Sequence, residues 1–153
     1  MKTKNFLKQS GQTIVEVLIV TVVIATILTA LAASLTMSAN NTNQSKQRSL
    51  ATTYAQEGLE VFRRERNSLG WNRFYESLNS STYCLNDLPV DSAAFVSLVT
   101  GECASGTTIE NTGLQREAVV SVGADQVDVS LSVTWFDGAE EKTVSVDQSF
   151  QDI

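Results

Sequence analysis

Histidine is absent from the chain, and its absence excludes several kinds of catalytic and metal site. Ser–His and Cys–His pairs need an imidazole base, and histidine-bearing zinc sites need an imidazole ligand. The sequence also contains no P-loop and no GxGxxG motif. Asp125, Asp128 and Asp137 come nearest to a calcium set, but EF-hand spacing is missing. The sequence therefore predicts a protein that is not an enzyme, with no catalytic residue, metal, cofactor or small-molecule substrate.

Basic residues are scarce as well. Lysine and arginine total 11 against 17 acidic residues, and the net charge is −6. Nucleic-acid binding depends on a basic footprint, and the one candidate is the arginine group Arg63, Arg64, Arg66 and Arg73. We therefore expect no nucleic-acid partner.

Proline and glycine are both missing between Thr13 and Met37, where Glu16 is the only ionisable residue. Such a stretch forms a helix of roughly 37 Å, enough to cross a hydrocarbon core of about 30 Å. It also lacks the polar face of a helix from a soluble domain. The sequence therefore predicts one membrane-spanning helix with an acid near its start, where an ionised side chain costs less than at the centre.

The lysines are distributed unevenly around this span. Lys2, Lys4 and Lys8 precede it, and the next basic residue is Lys46. The positive-inside rule then places the N-terminus in the cytoplasm and the rest of the chain outside. The two cysteines, Cys84 and Cys103, follow into an oxidising compartment, which favours a disulfide; two free buried thiols are the alternative.

The front edge of the span carries the most specific pattern. Residues 1–11, MKTKNFLKQSG, form a basic leader that ends in Gly11; Glu16 follows five residues later, and an apolar helix comes next. This pattern resembles the class III signal of type IV prepilins and pseudopilins. The resemblance implies a bacterial filament subunit, a prepilin peptidase that cuts after Gly11, and a mature N-terminus at Gln12. It also implies that Glu16 interacts with the terminal amine of a neighbouring subunit.

Two departures from the family accompany this resemblance. Its mature chains usually begin with phenylalanine at the methylated position, where this chain has Gln12. Major pilins also resemble one another in a proline about twenty-two residues into the mature chain, where this chain has Ala33. The second departure is from the major pilins, and the hydrophilic hairpin end and the long central loop favour a minor pilin.

Two other interpretations compete with this one. Ala30-Leu31-Ala32 resembles a signal-peptidase site, which would make residues 1–32 a discarded secretion signal. The apolar run is longer than the usual 7–15 residues of such a signal, and a secretion signal does not explain Glu16. The other alternative is a single-pass, membrane-anchored extracellular binding domain that does not polymerise.

The helix is expected to continue past the span. An apolar stripe at three- and four-residue steps comprises Leu50, Ala51, Tyr54, Ala55, Gly58, Leu59 and Phe62. We therefore predict one helix from about Gln12 to Ser68, with a spanning half at 12–38 and an amphipathic half at 39–70. A local kink is conceivable at Asn40–Asn43, because asparagine disfavours helix.

The remaining chain, 71–153, predicts an α+β head. Residues 71–78 read as a short helix, and 79–113 as a loop region with the two cysteines and a short strand at Phe95–Thr100. Residues 114–153 read as three antiparallel strands, because apolar and polar residues alternate through Val127–Trp135 and Asp137-Gly138 is a hairpin signal. The apolar face of the sheet must be buried against another element, and we expect it to pack against the apolar stripe of the helix. The same architecture is implied by the pilin resemblance.

The resemblance further implies partners and a location. The partners would be the prepilin peptidase, other pilin subunits, an inner-membrane assembly platform and the membrane itself. The subunit would lie in the cytoplasmic membrane as a single-pass protein, and then in a surface pilus or a type II secretion pseudopilus.

Overall fold

The computed structural model describes residues 10–152 of the chain, with side chains from Thr13 onward except Asn111. Most of the leader predicted at 1–11 therefore lies outside the described residues. Within the described part, contacts divide the chain into two units, with the boundary between Asn43 and Gln44. The first unit is helical throughout its described residues, and the second, residues 44–152, is the head.

Helix α1 spans Ser10–Leu69, 60 residues, as the apolar run and the later stripe predicted together. The asparagine-rich segment is helical as well, and Thr42 Oγ1 donates to Ser38 O inside it. α1 ends before Gly70, whose φ of 74° a residue with a Cβ rarely adopts. Helix α2 follows at Trp71–Ser77, close to the bounds that the sequence predicted.

The head contains a four-stranded antiparallel sheet in the order β1-β2-β3-β4. Its strands are β1 Ser81–Cys84, β2 Leu114–Val122, β3 Gln126–Asp137 and β4 Glu140–Gln151. The predicted α+β class and the three C-terminal strands are confirmed, and the number of strands is corrected from three to four. β1 was missed because it has four residues and buries only Tyr83, which is too short a run for a period of two to be visible.

The strand predicted at Phe95–Thr100 is wrong. Helix α3, Ser92–Val96, occupies that region instead, followed by a 3₁₀ turn at Ile109–Asn111 further along. Asp91 starts α3 because its Oδ1 accepts the N–H of Ala94 at 2.8 Å, a side-chain cap that favours helix over strand. Thr100 forms only an isolated antiparallel bridge, with Tyr83.

The core of the head lies between the sheet and the amphipathic half of α1. Ala51, Ala55 and Phe62 are fully buried on the helix side. The sheet contributes its inward positions, and these include Trp135, as the alternation predicted: Leu114, Ala118, Val120, Val127, Val129, Leu131, Val133 and Trp135. One end is closed by an aromatic group in which the Phe74 ring lies 6.0 Å from Phe95 and 5.5 Å from Phe150.

Gly58 sets how closely α1 approaches the sheet. A Cβ at this position would overlap Leu131 Cδ1 and lie 3.1 Å from Arg116 Cδ. Both neighbours are buried, so neither has free space to move into. The helix therefore needs glycine here, although glycine inside a helix costs about 0.5–1 kcal/mol relative to alanine.

We predict that Gly58→Ala destabilises the head by about 1–2 kcal/mol, because overpacking costs about 1–3 kcal/mol and exceeds the helix-propensity gain. Urea unfolding of the full chain in detergent, followed by tryptophan fluorescence, measures this. In a Leu131→Val background, which shortens the obstructing side chain, the same substitution should cost less. An equal cost in both backgrounds would contradict the steric account.

Candidate assembly site

Residues 13–37 of the first unit present an apolar surface in every direction. The described helix is long and apolar enough to cross a membrane by length and composition. All its large apolar side chains from Ile14 to Met37 are exposed: Ile14, Val15, Val17, Leu18, Ile19, Val20, Val22, Val23, Ile24, Ile27, Leu28, Leu31, Leu35 and Met37. A helix with no polar face is stable only where lipid or other apolar helices replace water.

The threonines of this segment do not interrupt the apolar surface. Each of four hydroxyls donates to a carbonyl three or four residues earlier, at distances from 2.8 to 3.1 Å: Thr21, Thr26, Thr29 and Thr36. Hydroxyls bonded in this way need no outside partner. The helix can therefore move between lipid and protein surroundings without leaving these groups unsatisfied.

Glu16 is the exception within this surface. Its side chain is exposed, and it forms no ion pair within the part of the chain that the structure describes. It lies in α1 four residues after Gln12 and five after Gly11. A carboxylate in apolar surroundings needs a cation.

The head carries a buried cation that sequence reasoning missed, Arg116, only 2% exposed. Its Nε donates to Leu85 O at 2.7 Å and its Nη1 to Tyr54 O at 2.8 Å, while Glu57 Oε2 lies 3.8 Å from Nη1. Burial lowers the pKa of Arg116, and the nearby Glu57 carboxylate opposes that shift. Arg116 therefore ties β2 both to the backbone of α1 and to the chain after β1. Its inward position in β2, between Leu114 and Ala118, was a signal that could have revealed it.

A buried acid on α1, Glu65, also bonds to chain outside its own helix. It is 1% exposed; its Oε1 accepts from Arg64 Nε at 2.8 Å, and its Oε2 accepts from the Ser92 hydroxyl. Arg64 also donates to Pro89 O at 2.9 Å. The acid and its neighbour thus hold the segment around α3 against α1. Glu65 lies three residues after Phe62, in register with the apolar stripe, and this register was the available signal.

The segment after β1 is also closed covalently. Cys84 and Cys103 form a disulfide with a sequence separation of 19. Cys103 N–H also donates to Glu117 Oε1 at 2.7 Å. A bridge over a loop of this size contributes about 3 kcal/mol in the chain-entropy model. The disulfide, Arg116 and Glu65 therefore define one conformation for residues 85–103.

The remaining predicted features occupy ordinary structural positions. Trp71 and Tyr75 pack against the core, and Tyr75 Oη donates to Gly123 O at 2.7 Å. Glu140 pairs with Lys142 in the β3–β4 hairpin. Within the described residues, no three acidic or cysteine side chains come together in an arrangement that could hold a metal ion.

No protein-family model, curated protein or solved structure matches this chain. Interpretation of the site therefore depends on its own residues.

We predict that Arg116→Met destabilises the head by about 2–4 kcal/mol. The carbonyl oxygens of Leu85 and Tyr54 lose the hydrogen bonds that Arg116 donates to them and gain no other donor in the core. Arg73→Met, which changes an exposed arginine on α2, should stay within about 0.5 kcal/mol of the original. Equilibrium urea unfolding of the full chain in detergent measures both. Similar losses for the two variants would contradict the role given to Arg116.

Proposed function

We propose that the chain is a subunit, of the minor kind, of a type IV pilus or a type II secretion pseudopilus. A prepilin peptidase cuts after Gly11, the new N-terminus is Gln12, and the subunit waits in the cytoplasmic membrane with its head outside. Assembly on an inner-membrane platform then transfers α1 from lipid into a bundle formed with other pilin subunits. The support is one observation: an exposed apolar helix carries a single acid, Glu16, five residues after the glycine that ends a basic leader.

Charge gives this transfer its direction. Lipid tails and a bundle of apolar helices solvate apolar side chains about equally well, so moving α1 between them changes the hydrophobic free energy little. An acid inside a membrane costs roughly 2.5–3.5 kcal/mol at the centre of a helix, and less near an end. Pairing Glu16 with the Gln12 amine of a neighbour removes this cost in a poorly solvated site, where attraction between charges is strong. The pair therefore favours the assembled state and fixes the stagger between subunits.

The acid, and not the apolar surface, favours a polymerising helix over a permanent anchor. A permanent anchor and a polymerising helix both need an apolar surface, but only the polymerising helix gains from an acid near its start. The single-pass, membrane-anchored binding domain is the competing class, and it assigns no role to Glu16. The absence of proline at Ala33 favours a minor subunit over a major one.

We expect Glu16→Val to leave cleavage intact and to reduce the amount of this chain in sheared filaments by about 100-fold, since loss of one partner from a poorly solvated pair costs roughly 3 kcal/mol. Quantitative mass spectrometry of sheared and membrane fractions measures both effects. Glu16→Gln, which keeps the size and removes the charge, should behave similarly, whereas Leu18→Ile should assemble normally. Normal incorporation of the two Glu16 variants would refute the charge pair.

A further inference from the structure

The head has two ends with different chemistry, about 33 Å apart along α1. At one end, Gln44 Nε2 donates to Asp137 Oδ2 at 3.0 Å, which places the β3–β4 hairpin beside residue 44. At the other end, Arg66 Nη2 donates to Gln151 O at 2.7 Å. Residues 44 and 66 are separated by roughly 33 Å at about 1.5 Å per helical residue. β3 spans a matching distance of about 36 Å at about 3.3 Å per residue.

A cavity of about 510 Å³ opens at the Arg66 end, and none of its lining residues is acidic: Arg63, Arg66, Asn67, Ser149, Phe150 and Gln151. Neutral acceptors hold both guanidinium groups in place. Arg63 Nη2 donates to Gln148 Oε1 at 2.8 Å, and the acceptor of Arg66 is a backbone carbonyl. Glu60 approaches only Arg63, at 3.5 Å, and both of those side chains are exposed. Among the described residues Arg66 has no carboxylate partner, so its guanidinium group can accept a carboxylate from another chain.

The hairpin at the other end carries the complementary groups. Phe136 is 71% exposed and pairs across the strands with Glu141. Lys142 pairs with Glu140, while Glu141 forms no ion pair among the described residues. Lys46 and Arg48 lie on the nearby part of α1, and neither pairs with a hairpin carboxylate in the described structure. An unpaired acid beside an exposed aromatic ring matches a cavity with arginines, because a guanidinium group pairs with a carboxylate and stacks on an aromatic ring.

We infer that the Arg63–Arg66 cavity receives the β3–β4 hairpin of a second copy of this chain. Glu141 of one copy pairs with Arg66 of the next, and Phe136 lies against the guanidinium groups of the cavity. The two surfaces are different and lie at opposite ends of the head, so the contact is heterologous and repeats without closing a pair. The inference rests on the proposed function and adds to it that, where copies of this minor subunit are neighbours in the filament, they meet through this contact.

Cysteine cross-linking in cells tests the contact on the full chain. The native cysteines are both in the disulfide, so Ala139→Cys in the hairpin and Asn67→Cys in the cavity wall introduce the only free thiols. Neither substitution removes a charge. Sheared filaments that carry both changes should show a ladder of covalently linked chains on non-reducing gels. Each single variant, and the pair Ala139→Cys with Ser145→Cys on the outer sheet face, should show none.

Charge reversal then tests the chemistry of the contact in the doubly cysteine-substituted chain. Glu141→Arg and Arg66→Glu should each reduce the ladder by about fivefold, the effect expected for one largely exposed ion pair. The two reversals together should restore it, because the pair is re-formed with opposite sense. If neither reversal reduces the amount of cross-linked product, the charge-matched contact is overturned.

The failure of this inference is distinguishable from failure of the proposed function. Filaments that contain the chain but give no ladder would overturn the hairpin contact and leave the filament proposal standing. Absence of the unsubstituted chain from sheared filaments would overturn both.

Discussion

A single carboxylate in an otherwise apolar helix is the constraint on which the proposed account depends. Glu16 stands in a described segment in which four threonine hydroxyls are bonded within the helix and all the large apolar side chains from Ile14 to Met37 are exposed. For such a helix, transfer from lipid to a bundle of apolar helices changes the hydrophobic free energy little. In the proposed function only the acid distinguishes the two environments, because its charge finds a cation in the subunit bundle and none among the lipid tails. The proposed assembly therefore depends on where Glu16 finds its cation.

In the head, a few polar and covalent contacts hold the long irregular segment 85–103 in place. Arg116 and Glu65 are both nearly fully buried, and each bonds to chain outside its own element. Replacing such a group together with its partners by apolar groups changes stability little, but removing the group alone leaves its partners unsatisfied, and so does any other arrangement of the chain. Together with the Cys84–Cys103 bridge, they specify one path for residues 85–103.

Long periodic features were predictable from the sequence, and short ones were not. The run beginning at Thr13 and the stripe ending at Phe62 predicted α1, and the alternation through Val127–Trp135 predicted β3. β1 and α3 escaped prediction because each is at most five residues long and is fixed by tertiary contacts rather than by a repeating pattern. The two cysteines predicted their disulfide, since an even number in an oxidising compartment favours pairing.

The candidate site residues likewise differ in how well the sequence alone predicted them. Glu16 was visible because one acid in an apolar run stands out in any window, whereas Arg116 and Glu65 became visible only when sheet register and helix face were known. The most direct measurement of the central claim is the N-terminal residue of this chain, determined by mass spectrometry from sheared filaments and from membranes. The account predicts Gln12 in both fractions. An intact Met1 confined to the membrane, or a chain that begins at Ala33, would contradict it.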